Sequence, residues 1–134
     1  MGKPKSRKKK KYGINFYRYK ELENYCLQYD EKKSELQQIY TSSSVTPEIA
    51  VMGGISGKPT EQKAMRALKL KSEIELIERC IVEACGEDVG IVEKLKINVT
   101  LGFGYDAIGR PPCGPRQFYE YRRKFFFILD KEKI

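Results

Sequence analysis

Ala67, Leu70, Ile74, Ile77, Ile81 and Ala84 recur at steps of three and four residues. That spacing places all six on one face of a long helix, and a helix with one apolar stripe must bury it. A matching stripe lies upstream. From about Phe16 to Tyr40, Leu22, Cys26 (or Tyr25), Tyr29, Leu36 and Ile39 repeat in the same way, with Lys33 interrupting. The two stripes predict an antiparallel helical hairpin, closed within one chain or between copies of it. Thr60 is the expected N-cap of the second helix, with Glu61 in its first turn where the helix dipole favours an acid, and Gly86 is its expected end. The stretch 41–59, rich in Ser, Gly and Pro, is the expected linker loop.

A third helix is predicted from Glu87 to Asn98, with Ile91, Val92, Leu95 and Val99 inward, Asp88 as its cap and Gly90 weakening it modestly. A loop follows, in which Phe103 reads as a core plug. Residues 104–129, GYDAIGRPPCGPRQFYEYRRKFFFIL, then read as a short helix (Tyr105–Ile108), a turn and a longer helix. Pro111 and Pro112 forbid helix in the turn. Gly114 suits an N-cap and Pro115 the first helical position, where no backbone donor is needed. At about 100° per residue, Phe118, Arg122, Phe125 and Leu129 share one face, flanked by Tyr119 and Phe126. Arg116, Gln117, Glu120, Arg123 and Lys124 share the other. Arg122 on the apolar face is expected to snorkel, to pair with a carboxylate such as Asp106, or to reach a phosphate. Ala107 is the expected small residue at a close helix crossing, with Ile108 and Tyr105 as core contacts.

This two-helix layout is that of a helix-turn-helix, whose second helix enters the major groove of DNA. Arg116, Gln117 and Glu120, near the helix start, are the candidates for reading base edges. Arg110, Arg123 and Lys124 complete the candidate DNA-binding set, Arg123 and Lys124 as phosphate contacts.

The string from Gly104 to Leu129 resembles the C-terminal module of the RinA/ArpU-like phage late transcription regulators. The residues carrying the likeness are Tyr105, Asp106 and Ile108, then Pro112, Cys113 and Gly114, then Arg116, Phe118, Tyr119, Arg122, Arg123, Phe125 and Phe126. The module is similar to region four of bacterial sigma factors. Pro115 departs from the pattern by one residue of spacing. The resemblance implies an all-α chain, a long helical hairpin followed by a small C-terminal sigma-region-four-like helix-turn-helix core. It implies a phage-type regulator, an activator of late genes, acting on double-stranded DNA in the bacterial cytoplasm, with host RNA polymerase as a further partner. Homo-oligomerisation through the helical segments is compatible with the stripes. The expected regions are a disordered basic tail (1–15), the hairpin (16–86) and the DNA-binding region (87–134).

Charge supports the same division of labour. The net charge of +8 is concentrated at the ends: residues 1–11 carry +7 and residues 110–134 carry +4, leaving −3 in between. Basic ends suit nucleic acid, and a mildly acidic middle suits a protein contact. Lys8, Lys9, Lys10 and Lys11 are expected to make nonspecific phosphate contacts. A competing reading is a helical adaptor for phage DNA packaging or RNA binding, which the lysine run and the tyrosines at helical spacing would also suit.

Other classes are excluded by what the chain lacks. It has no His, and its four cysteines (Cys26, Cys80, Cys85, Cys113) form no metal-ligand pair spacing, so no metal or cofactor is expected and the thiols read as reduced. Cys80 and Cys85 fall on different sides of their helix. Gly57-Lys58 lacks the earlier Gly and the following Ser or Thr of a phosphate loop. Glu73 and Glu78 read as solvated surface carboxylates, so no enzymatic activity is expected. No stretch is apolar enough to span a membrane, and no apolar run follows the first lysines.

Overall fold

The computed structural model describes residues 13–42, 58–109 and 111–133. Helix α1 spans Phe16–Leu27, α2 Tyr29–Ser42, α3 Lys58–Cys85, α4 Val89–Leu101 and α5 Pro115–Glu132, and a 3₁₀ turn covers Tyr105–Ile108. No strand occurs among the described residues, and the chain is all-α as expected. Most of the predicted linker and the tail through Tyr12 lie outside the described residues, as do Arg110 and Lys8 to Lys11.

The predicted helix over 16–40 is two helices, divided at Gln28. No Gly or Pro marks the division. Gln28 donates its N–H to the Tyr25 carbonyl at 3.3 Å, a tighter turn than an α-helical one, and its own carbonyl accepts from Lys32 N at 2.9 Å. The division follows a change of partner. α1 buries Leu22 and Cys26 and lies mainly along α4 and α5, whereas α2 lies along α3. Two tyrosines pin the junction: Tyr25 donates to the Glu73 carbonyl at 3.1 Å, and buried Tyr29 donates to the Glu78 carboxylate.

The hairpin is therefore only partly the predicted one. Ala64 and Ala67 pack under Leu36, Ile39 and Tyr40, and Arg66 clasps Glu35 through two bonds of 2.8 and 2.9 Å. Farther along α3, the most extensive neighbour is α5. There Ile74, Ile77, Cys80, Ile81, Ala84 and Cys85 share one cluster with Phe118, Phe125, Phe126 and Leu129, and with Ile91, Leu95 and Val99 of α4. The seam is filled within one chain, and residues on both sides of position 86 contribute to one core. Cys80 and Cys85 do lie on different sides of α3, but both sides are covered, so both thiols are buried. Glu73 and Glu78 are half-buried and partnered rather than freely solvated: Lys32 approaches Glu73 at 3.3 Å, and Glu78 takes the Tyr29 hydroxyl with Lys96 at 3.8 Å.

α3 begins at Lys58, so Thr60 falls inside it rather than capping it. α4 starts where Asp88 accepts from Ile91 N at 3.2 Å, the expected cap, and it stops at Gly102 with φ +83°, a left-handed conformation that favours glycine. Phe103 is 49% exposed, not a core plug, because the turn at Gly102 hands its carbonyl to Asn98 Nδ2 at 2.7 Å and leaves the ring outside. The predicted short helix is a single 3₁₀ turn, with Ile108 buried, Tyr105 half-buried and Ala107 exposed rather than at a crossing. Too few residues separate Gly104 from Gly109 for an α-helical ladder to form. Among the described residues no helix is long and apolar enough to cross a membrane.

Candidate nucleic-acid interface

α5 begins as its sequence demands. Gly114 is extended (φ −72°, ψ 168°), Pro115 occupies the first turn, and no acidic side chain lies there. The preceding turn is held from three sides. Tyr105 donates its hydroxyl to the Cys113 carbonyl at 2.5 Å while its ring meets Phe118 edge-on, centroids 5.6 Å apart. The Tyr119 hydroxyl accepts from Tyr105 N at 3.2 Å. Gly90 lets Pro112 come so close that a Cβ there would stand 3.3 Å from Pro112 Cγ. The glycine that weakens α4 by propensity is thus a seat for the proline turn. Lys94 Nζ donates to the Ile108 carbonyl at 2.9 Å, closing the 3₁₀ turn just before Gly109 (φ +80°).

The two faces of α5 fall as predicted. Phe118, Phe125, Phe126 and Leu129 are buried, whereas Arg116, Gln117, Arg123 and Lys124 are exposed and Glu120 is half-buried. Arg123 pairs with Glu120 at 2.6 Å, both side chains more than 40% exposed, which makes the pair weak and easily exchanged for another partner. Gln117 Nε2 reaches the Tyr121 hydroxyl at 3.4 Å. Arg116 and Lys124 make no ion pair among the described residues. The structure thus brings Arg116, Gln117, Glu120, Arg123 and Lys124 onto one side of one helix. Arg110 lies outside the described residues.

Arg122 has a different role from its neighbours. Its Nε donates to Asn98 Oδ1 at 2.6 Å, Nη1 to the Tyr19 hydroxyl, and Nη2 to Glu23 at 3.3 Å. The carboxylate partner is Glu23 of α1, not Asp106. The guanidinium also lies over the Phe126 ring, 4.9 Å from its centroid. Burial pushes the Glu23 carboxyl up, but the hydrogen bond from Lys20 and the nearby Arg122 outweigh it and hold the group below its ordinary range. One arginine therefore ties α1, α4 and α5 together. Asn98 and Glu23 were not singled out from sequence, and Tyr19 stood out only as one of the tyrosines at helical spacing. The available signal was Asn98 itself, a polar residue between Leu95 and Val99 on a buried face.

What this surface can do chemically is limited and definite. It offers a planar guanidinium, a carboxamide and two further cations along a rigid rod, with no titratable base aimed at a cavity. Such groups donate to phosphate oxygens and to the acceptors of guanine and adenine edges. No group of three or more metal-ligating side chains occurs among the described residues. No family model, curated protein or solved structure matches the chain.

Proposed function

We propose that this protein is a double-stranded-DNA-binding transcription regulator of the RinA/ArpU-like phage kind, acting in the bacterial cytoplasm. The observation that carries the reading is the exposed row Arg116, Gln117, Arg123 and Lys124 on a helix whose opposite side is locked into an aromatic core. A reading helix must be held rigidly if its side chains are to meet base edges within hydrogen-bond reach, and Tyr105, Pro112 and Arg122 supply that support. α5 is the groove helix, and α4 with the 3₁₀ turn stands in the place of the helix that crosses the backbone. The sequence between the basic ends, with its excess of acid, is the side offered to RNA polymerase or to a second copy.

The test is binding of the full chain to duplex DNA from around its own gene, with excess nonspecific competitor, at two salt concentrations. The reading expects a complex that survives competition and gives a discrete footprint. A complex that dissolves into competitor at both salts refutes sequence reading, and leaves only electrostatic attachment.

A further inference from the structure

α3 carries a second stripe that the core does not use. Met65, Leu68, Ser72, Glu75, Arg79 and Val82 recur at steps of three and four residues, on the side away from Leu70, Ile74, Ile77 and Ile81. Met65 is 58%, Val82 52% and Leu68 39% exposed, and the three polar residues between them are exposed as well. Charge is divided along the same helix. Residues 61–72 hold four basic side chains and one acidic, whereas residues 73–85 hold four acidic and one basic.

The fold accounts for only part of this division. Arg66 is bound to Glu35, Glu73 to Lys32, Glu78 to Tyr29 and Lys96, and Arg79 to Glu132. Lys63, Lys69, Lys71, Glu75 and Glu83 make no ion pair among the described residues. Lys71 and Glu75 stand four apart and still do not meet, being in the order that stabilises a helix less. Glu83 lies in the last turn of α3, where the helix dipole favours a cation. Stability of the single helix therefore does not explain the layout.

We propose that this face of α3 pairs with the same face of a second copy of the chain, antiparallel, about a two-fold axis between Glu73 and Ile74. Reversal sets the basic half of each helix along the acidic half of the other. A parallel pair cannot do this, because Glu75 and Arg79 would each meet their own kind. In the antiparallel pair, Met65 of one copy meets Val82 of the other at both ends, and the stem of Arg79 covers Leu68. Lys71 comes alongside Glu75, and Ser72 near the centre is small enough for the two helices to approach. A pattern that becomes its own complement on reversal selects a second copy rather than a different protein. A polyanion is not selected, because the acidic half of the row would repel it. The stripe is about 26 Å long at about 1.5 Å per residue and is crossed by charges, so dilution should dissolve the dimer. The pairing uses neither the seam closed within one chain nor the α5 surface, and it does not rest on DNA reading.

Sedimentation velocity of the full chain without DNA, over a dilution series, tests it. Two charge-reversed chains are compared with wild type: Lys69→Glu with Lys71→Glu, and Glu75→Lys with Glu83→Lys. Since these four side chains make no ion pair within the chain, both variants should keep the fold, which circular dichroism checks. Should either unfold, Met65→Glu replaces it as an exposed probe of the same row and should weaken the dimer in the same way. Wild type is expected to dimerise, and each reversed chain alone to associate about tenfold or more weakly. An equimolar mixture of the two reversed chains should recover the association, because each then meets its opposite charge. Wild type that stays monomeric throughout the series overturns the proposal. So does a dimer that the reversed chains form as tightly as wild type, which would place the contact on another face. A mixture no tighter than either reversed chain alone also overturns it, since the charges would then not face each other.

Discussion

Arg122 Nε lies 2.6 Å from Asn98 Oδ1, joining two helices at a point where apolar packing would otherwise be continuous. The bond orients both side chains: Asn98 spends its other end on the Phe103 carbonyl, and Arg122 spends its remaining donors on Tyr19 and Glu23. Every member has a partner, which is the condition under which a half-buried polar network stabilises a core. Arg122→Leu leaves Glu23 and Asn98 short of a partner and is expected to cost about 2–4 kcal/mol. Urea unfolding of the variant should show the midpoint displaced with an unchanged slope. Arg122→Lys should recover only part of the loss, since an ammonium cannot reach three directions from one plane. A variant as stable as wild type would show that the network is dispensable.

Acid should weaken the same network in a defined direction. The folded-state carboxyl of Glu23 is held below its ordinary value of 4.5. A depressed value means that its contribution is complete above the unfolded-state value and is lost as pH falls through the folded one. The stability difference between wild type and Glu23→Gln is therefore expected to be constant near neutrality and to shrink below about pH 4.5. Chemical denaturation of both proteins from pH 7 to pH 3 reads it. A difference that grows with acid would contradict the assignment.

The thiols should separate cleanly by reactivity. Burial pushes Cys26 up to about 12, and Cys80 and Cys85 up to about 11. Cys113 is also raised by burial, but it is half-buried in the turn before α5. Because the thiolate is the reacting form, native protein at mildly alkaline pH should label at Cys113 first, and the other three only on unfolding. Mass mapping after a short exposure to iodoacetamide decides it, and early labelling at Cys80 or Cys85 would mean that the α3–α5 seam opens readily.

Tyr105 should govern the entry to α5. Tyr105→Phe removes the donor to the Cys113 carbonyl, with an expected loss of about 1 kcal/mol. Hydrogen exchange should quicken around Cys113 and Gly114 while the α3 core stays protected. Unchanged exchange there would show that Pro112 seated on Gly90 suffices to hold the turn.

On DNA, removing one charge and removing one base contact should look different. Arg116→Ala or Gln117→Ala is expected to cost about 1–3 kcal/mol on the preferred site and to relax specificity at one base pair. Lys124→Ala should weaken all sequences alike and reduce the salt slope by about 1. A uniform loss for Arg116→Ala would move that residue to the phosphates.

The helices with an unbroken apolar stripe were readable: α3, α4 and the two faces of α5 follow directly from the positions of Ile, Leu, Val and Phe, although which neighbours cover α3 did not. The division at Gln28 was not, because neither half contains a breaker, and the cause is a change of neighbour that lies far away in sequence. Phe103 was misread for a related reason. A large aromatic in a loop resembles a plug until the backbone bond from Asn98 fixes which way the loop runs. At the candidate interface, the composition of the exposed face was legible from periodicity, and Arg122 stood out as misplaced. Its partners did not, since Glu23 and Tyr19 belong to a helix about a hundred residues earlier.

The bond from Arg18 to Asp130 spans 112 positions of sequence. A chain emerging from the ribosome at about 5–20 residues per second makes α1 well before α5, one of the two helices it lies along. Until α5 is released, Leu22 and Cys26 lack part of the surface that covers them. A helix made early is thus among the last to be completed, and its apolar face stays partly uncovered during the interval.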